Sequence, residues 1–312
     1  MLLLDLVLFI LFSVVLVKSS TLALKAIIKI AHYFRLNEFI ISFVLFGIAS
    51  SLPETFIAIS SAIRNIPQIG VGTLIGSNIA DLTIIMGIVA IYARNIKIKS
   101  TIFKWDMFYL LLCGLPFLLS IDGQLSRIDG IILIIFFVLY FNFIISNRAK
   151  YKTKIFEHVP KKQLHKNITF FIVGVGLLIL SSNLIVDYAS KLALDVNIAP
   201  ILIALLLLGL GTTLPELTFS LNSINKGHKE LGLGDLLGVV IVDSTFVLGL
   251  VAIIRPIIIS KLILISAGIM FVSAIISILF MESDRQLDWK EGVALIILYI
   301  LVLIFILSYK IV

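Results

Sequence analysis

Adding 162 to the residue number carries the first half of this chain onto the second without a gap. The shift pairs Glu54 with Glu216, Pro53 with Pro215, Gly47 with Gly209 and Asp81 with Asp243. It also pairs Gly72 with Gly234, Gly76 with Gly238, Gly87 with Gly249 and Gly130 with Gly292. Chance likeness between apolar segments matches Leu to Ile; it does not hold prolines, glycines and acids in register. Whatever unit the first half builds, the second half is therefore expected to build again.

That unit belongs in a membrane. Sixty per cent of the residues are hydrophobic and the mean hydropathy is +1.18, more apolar surface than a soluble domain of this length needs. A span takes about 20 apolar residues. Ten stretches qualify: 2–32, 37–64, 69–93, 101–119, 127–146, 167–193, 198–225, 231–254, 260–281 and 291–309. The stretch Leu2 to Val17 has no basic region before it and no small-residue cleavage pattern after it, so it reads as a membrane helix. The chain divides into a first repeat (1–146), a basic linker (147–166) and a second repeat (167–312). Five spans per half turn the second half over. The expected fold class is an all-α membrane protein of ten transmembrane helices, arranged as two inverted five-helix repeats.

The net charge of +7 does not call for a nucleic acid. Arg35, Arg94, Lys97, Lys99, Lys104, Lys226, Lys229, Arg285, Lys290 and the basic linker all fall in connections on one side of the predicted bundle. The other side has fewer, including Arg64, Arg127, Lys191, Arg255 and Lys261. The richer side is expected in the cytoplasm and both termini outside, in a cell membrane. Cys113 is the single cysteine, which excludes an internal disulfide and a cysteine metal cluster. The four histidines lack metal-ligand spacing.

The acids carry the chemistry. Glu54 and Glu216 lie inside apolar spans, where a carboxylate costs roughly 3 kcal/mol by insertion scales and marks a functional site by default. Their segments read Gly47-Ile48-Ala49-Ser50-Ser51-Leu52-Pro53-Glu54 and Gly209-Leu210-Gly211-Thr212-Thr213-Leu214-Pro215-Glu216. Helical spacing puts Gly47, Ser50 and Ser51 on the face of Glu54, and Gly209, Thr212 and Thr213 on that of Glu216. Each proline lacks an N–H, so the helix is expected to bend or break there and free a carbonyl. Hydroxyls, carbonyls and a carboxylate are the oxygens that hard cations such as Ca²⁺ and Na⁺ require. A second motif, Gly76-Ser77-Asn78-Ile79-Ala80-Asp81, sets Ser77 four residues before Asp81. Its counterpart keeps Asp243 but has Val239 and Val240 in place of Ser and Asn. The hydroxyls could instead bond back to their own helices, Asn78 could be a helix–helix bond, and the glycines could serve packing.

These paired segments resemble the alpha repeats of sodium/calcium exchangers, in the Ca²⁺:cation antiporter superfamily, over nearly the whole chain and in the compact form of prokaryotic members. The resemblance implies that Glu54 and Glu216 are the central Ca²⁺ ligands. Ser50, Ser51, Ser77, Asp81, Thr212, Thr213 and Asp243 would complete overlapping Ca²⁺ and Na⁺ sites, and Gly47 and Gly209 would add backbone oxygens. It implies a secondary antiporter with transported ions and no cofactor, no enzymatic activity and no protein partner beyond the lipid bilayer. The first and sixth helices would slide to alternate access. Val239 stands where the family's second repeat usually has a Ser ligand, and Asp81 where the first often has Asn. Four carboxylates around one divalent cation leave about −2 of net charge, which makes a proton a candidate counter-ion. The rival readings are a cation/proton exchanger with no sodium dependence and, more distantly, a cation channel. A prenyl transferase would need aspartate-rich motifs near a membrane face, and none is present.

Overall fold

The computed structural model describes residues 2–34, 46–98, 106–146, 161–225, 227 and 229–309. Arg35, Lys99, Lys104, Lys226 and most of the linker lie outside the described residues.

The first half runs α1 (Leu2–Tyr33), α2 (Phe46–Ser50), α3 (Leu52–Ile63) and α4 (Pro67–Ala80). A π-helical turn over Asp81–Ile85 leads into α5 (Met86–Ala93), β1 (Asn95–Lys97), α6 (Asp106–Leu119), β2 (Gln124–Leu125) and α7 (Arg127–Ser146). The second half opens with α8 (Lys161–Asp195), which begins inside the stretch read as linker. It continues through α9 (Pro200–Ile203), a π turn over Ala204–Leu208, α10 (Gly209–Thr212), α11 (Leu214–Asn225) and α12 (Lys229–Ile241). A further π turn, Val242–Val247, precedes α13 (Leu248–Ile254), β3 (Ile257–Ile258), α14 (Lys261–Ser283), β4 (Gln286–Asp288) and α15 (Trp289–Tyr309). Among the described residues, seven helices are long and apolar enough to cross a membrane; Leu52–Ile63 and Met107–Leu119 are shorter apolar helices.

Local chemistry sets the helix ends. Pro67 and Pro200 occupy first helical positions, where a missing N–H leaves nothing unsatisfied. At the start of α7, Ser126 N–H donates to Asp129 Oδ2 at 2.8 Å and Asp129 N–H returns to Ser126 Oγ at 3.3 Å. At the start of α15, Asp288 N–H donates to Glu291 Oε2 at 2.9 Å and Glu291 N–H to Asp288 Oδ1 at 3.0 Å. Both are reciprocal capping boxes, and the 162-residue shift carries one onto the other. Ser126→Ala and Asp288→Ala are each expected to cost about 1 kcal/mol, read as a lower midpoint in thermal unfolding of the purified protein.

The tertiary contacts are exchanged between the halves in the same way. β1 pairs antiparallel with β4, Ile96 opposite Leu287, while β2 pairs with β3, Leu125 opposite Ile257. Gly87 of α5 abuts α15, where an added Cβ would lie 2.6 Å from the Gly292 carbonyl oxygen. Gly130 of α7 meets α13 in the same manner, 2.7 Å from the Gly249 carbonyl oxygen. Small residues at such crossings let backbones touch where lipid offers no hydrophobic drive. The segment Pro67–Ala93 is central, with 83% of its most apolar window buried, and Gly232–Ile254 with 78%. α1 and α8 pack along one another at the periphery, with only 22% and 28% buried. Their shared core includes Leu16, Ala23, Leu178 and Ile185, and it reaches α3 through Ile57.

Candidate functional site

The two predicted breaks are present, and they sit two residues before each proline. Ser51 (φ −70, ψ 5) separates α2 from α3, and Thr213 (φ −81, ψ 0) separates α10 from α11. Each proline thus becomes an early residue of a new helix rather than a kink within an old one. Glu54 and Glu216 lie in the first turns of α3 and α11, fully buried. Asp81 opens one π turn and Asp243 lies in another, also fully buried. A π turn inserts a residue into the helical register, and such turns concentrate at functional sites.

These four acids act on one another through their charges in the buried interior of the bundle. Glu54 lies within repelling distance of Asp243, and Asp81 of Glu54 and Asp243. Glu216 faces Glu54 and Asp81. Both carboxyl oxygens of Glu54, Asp81 and Glu216 are buried without a hydrogen-bond partner. The ion pair formed by the described residues, Arg64 with Asp187, lies away from them at the end of α3. Unpaired buried carboxylates are costly, and a cation or a proton relieves that cost. Among the described residues no three acid or histidine side chains converge closely enough to hold one ion by themselves. Neutral oxygens must complete any coordination sphere here, as is usual for Ca²⁺ and Na⁺.

The hydroxyls reach across the halves in some cases and bond back in others; Ser77 does both, donating to Leu74 O at 3.1 Å in its own helix. Ser51 donates to Asp243 Oδ1, and Ser77 reaches Asp243 Oδ2 at 3.5 Å. Ser50 donates at 3.3 Å to Asp235 Oδ1. Each of these bonds crosses from the first half to the second. Thr212 and Thr213 bond back to Leu208 O (3.0 Å) and Leu210 O (2.9 Å) of their own segment, although Thr212 lies beside Glu54. Ser77, expected on the face of Asp81, bonds back to Leu74 O, the alternative weighed from sequence, and lies 3.5 Å from Asp243. Asn78 donates to Ser244 Oγ at 3.1 Å, the helix–helix bond weighed from sequence. Gly47 lies in α2, four residues before Ser51. Gly209 presses on α4, where a Cβ would lie 2.6 Å from the carbonyl carbon of Gly76.

Two residues at the site escaped the sequence reading. Asp235 is 2% exposed on α12, and its charge acts on Glu216 and Asp81. Ser244, buried beside Asp243, is the partner of Asn78. Asp235 carried a usable signal, since it is an acid inside an apolar span, the criterion that singled out Glu54. Its repeat partner is Thr73, so matching the halves passed over it. A narrow cleft bordered by Asn78, Pro116, Ser120, Leu125 and Met270 reaches Asp243 from the end of the bundle that carries β2.

Residues 4–146 and 166–308 both match the family described as sodium/calcium exchanger protein. The chain belongs to that family. Its members include membrane antiporters of calcium and other ions. The chain is 29% identical over 233 residues to inner membrane protein YrbG of Escherichia coli, covering 72% of this chain and 71% of that protein. Its fold matches crystal structures of the sodium-calcium exchanger NCX_Mj, with a TM-score of 0.69, 26% identity and coverage of 96% of this chain and 98% of that one. It also matches the fold of the H⁺/Ca²⁺ exchanger CAX, with a TM-score of 0.81 at 15% identity, covering 96% and 82% of the two chains.

Proposed function

We propose that this protein exchanges Ca²⁺, or a closely related cation, for Na⁺ by alternating access, with the ion bound between the two repeats. The observation that carries this reading is the set of buried, unpartnered carboxyl oxygens on Glu54, Glu216 and Asp81, contributed by both halves. Hydroxyls of Ser50, Ser51, Ser77, Thr212 and Thr213, backbone oxygens near Gly47 and Gly209, and Asp243 supply the remaining donors. The halves, 1–146 and 167–312, are read as inverted five-helix repeats. The exchanged contacts, β1 with β4 and β2 with β3, support that reading, because a two-fold relation generates one from the other. The end that carries Arg94, Lys97, Lys229 and Arg285 is read as cytoplasmic, with both termini outside a cell membrane.

The peripheral pair α1 and α8 is the element that slides. Its largely lipid-facing surface supports this, because lipid offers little resistance to movement along the helix axis. Near the outer end α8 is tethered to α3: Ser60 Oγ donates to Asn183 at 2.8 Å, and Arg64 joins both Asn183 and Asp187. Sliding α8 breaks that set. The cleft to Asp243 is read as the outer path to the ions.

Proton coupling is the second reading, favoured by the excess of buried acids, Asp235 included, over neutral ligands. One experiment decides between them: radioactive calcium uptake into proteoliposomes of the purified protein, under a Na⁺ gradient and separately under a pH gradient. Uptake driven by Na⁺ supports the first reading. Uptake driven only by pH assigns the additional carboxylates to protons. Uptake under neither gradient would leave the family fold without this substrate.

A further inference from the structure

The repeat exposes one substitution that changes the chemistry of the site on one side only. Ser77 in the first half reaches Asp243 with its hydroxyl. The equivalent residue in the second half is Val239, fully buried and unable to offer an oxygen. One helical turn earlier on α12, on the same face, stands Asp235. Its equivalent in the first half is Thr73, whose hydroxyl bonds back to Ile69 O at 2.9 Å and makes no demand on the site.

Asp235 cannot be satisfied in that way, because a carboxylate finds no free donor along its own helix. Its Oδ1 accepts one bond, from Ser50, and its Oδ2 is buried without a partner. Its charge acts on Glu216 and Asp81, whose oxygens also lack partners. Asp243, by contrast, accepts from Ser51 at one oxygen and has the Ser77 hydroxyl, which also bonds Leu74 O, 3.5 Å from the other. We propose that Asp235 is a cation-coordinating residue of the transport site, supplying with Oδ2 the oxygen that Val239 lacks. The proposal rests on the reading that Glu54 and Glu216 bind the transported ion. It adds a fifth carboxylate to that site and shifts one coordination position about one turn along α12, toward Lys229. A formal charge replaces a neutral hydroxyl, so the site favours a divalent over a monovalent cation.

The test is isothermal titration of Ca²⁺, and separately of Na⁺, into the full-length protein in nanodiscs, for wild type, Glu216→Gln, Asp235→Asn, Asp235→Thr and the double variant Asp235→Asn with Val239→Ser. Glu216→Gln is expected to remove Ca²⁺ binding. Asp235→Asn is expected to weaken Ca²⁺ at least about tenfold, the scale on which site residues act in metal affinity, and to weaken Na⁺ less. Restoring a hydroxyl at 239 recovers most of the loss. Should Asp235→Asn melt far below wild type, Asp235→Thr, which carries the other half's residue, is scored in its place. Wild-type Ca²⁺ affinity in the Asp235 variants beside a dead Glu216→Gln overturns the role of Asp235 and leaves the site reading intact. A loss that Val239→Ser leaves unrepaired marks Asp235 as a structural acid and also overturns it. Wild-type binding by Glu216→Gln removes the site reading, and the proposal with it.

Discussion

Glu216→Gln is expected to abolish Ca²⁺ uptake into vesicles while leaving the protein folded, and Glu54→Gln to do the same. Gln keeps the shape of Glu, so packing around α3 and α11 is undisturbed. What disappears is a charge that sits fully buried with neither oxygen partnered. Such a charge destabilises the ion-free protein, so the ion-free variants should melt no lower than wild type. An ion that binds only the folded state adds about 2.7 kcal/mol at a hundredfold excess over its Kd. The variants should lose this Ca²⁺-induced rise in melting temperature. Loss of flux without loss of ion-free stability is the signature of a ligand. Normal uptake by either variant would remove that carboxylate from the site.

The second large effect is structural. Gly209→Val should prevent α4 from seating against the segment Ala204–Thr212. A Cβ at 209 would lie 2.6 Å from the carbonyl carbon of Gly76 and 2.7 Å from its Cα, and a Cβ at 76 would run into the Leu205 carbonyl. Those neighbours are backbone, so no rotamer change relieves the clash and the helices must part. Overpacking of this kind costs about 1–3 kcal/mol where side chains can yield, and more is expected where they cannot. Ser77 lies beside this contact, so the site opens with it. Gly234→Ala is the control, because a Cβ there meets nothing within 4 Å. Thermal unfolding in detergent should separate the two, with Gly209→Val well below wild type and Gly234→Ala close to it. Equal melting would mean that the crossing is looser than its geometry.

The sequence made the duplication, the central acids and the two helix breaks legible because each depends on residue type at fixed spacing. Pro53 and Pro215 announced the breaks, although these lie at Ser51 and Thr213. Side-chain direction was less legible. Ser77 and Asp81 are four apart, yet Ser77 bonds back to Leu74 O and also approaches Asp243 from the other half. Helical spacing describes one helix, whereas this bond depends on how two helices cross and on the π turns that reset their faces. Thr212 and Thr213 match Ser50 and Ser51 in sequence but bond locally, a choice that only the packed structure records. Arg64 counts in the sequence only as a basic residue of the sparser side; its partner Asp187 lies in the other half. The ladders β1–β4 and β2–β3 are two or three residues long and join distant segments, too short for any periodicity to reveal.

The exchanged contacts have a consequence for how such a molecule arises. A half-length chain would carry a β1 and a β2 that a second copy could pair, and a Gly87 that the Gly130 of that copy could meet. Its surfaces are self-complementary, so a two-fold homodimer would already possess the scaffold. In such a dimer every carboxyl comes twice, and the charge of the site can change only in even steps. Five central acids, with Asp235 standing across from Thr73, are an odd number. Joining the two copies in one chain is what allows a single-charge step between otherwise matching halves.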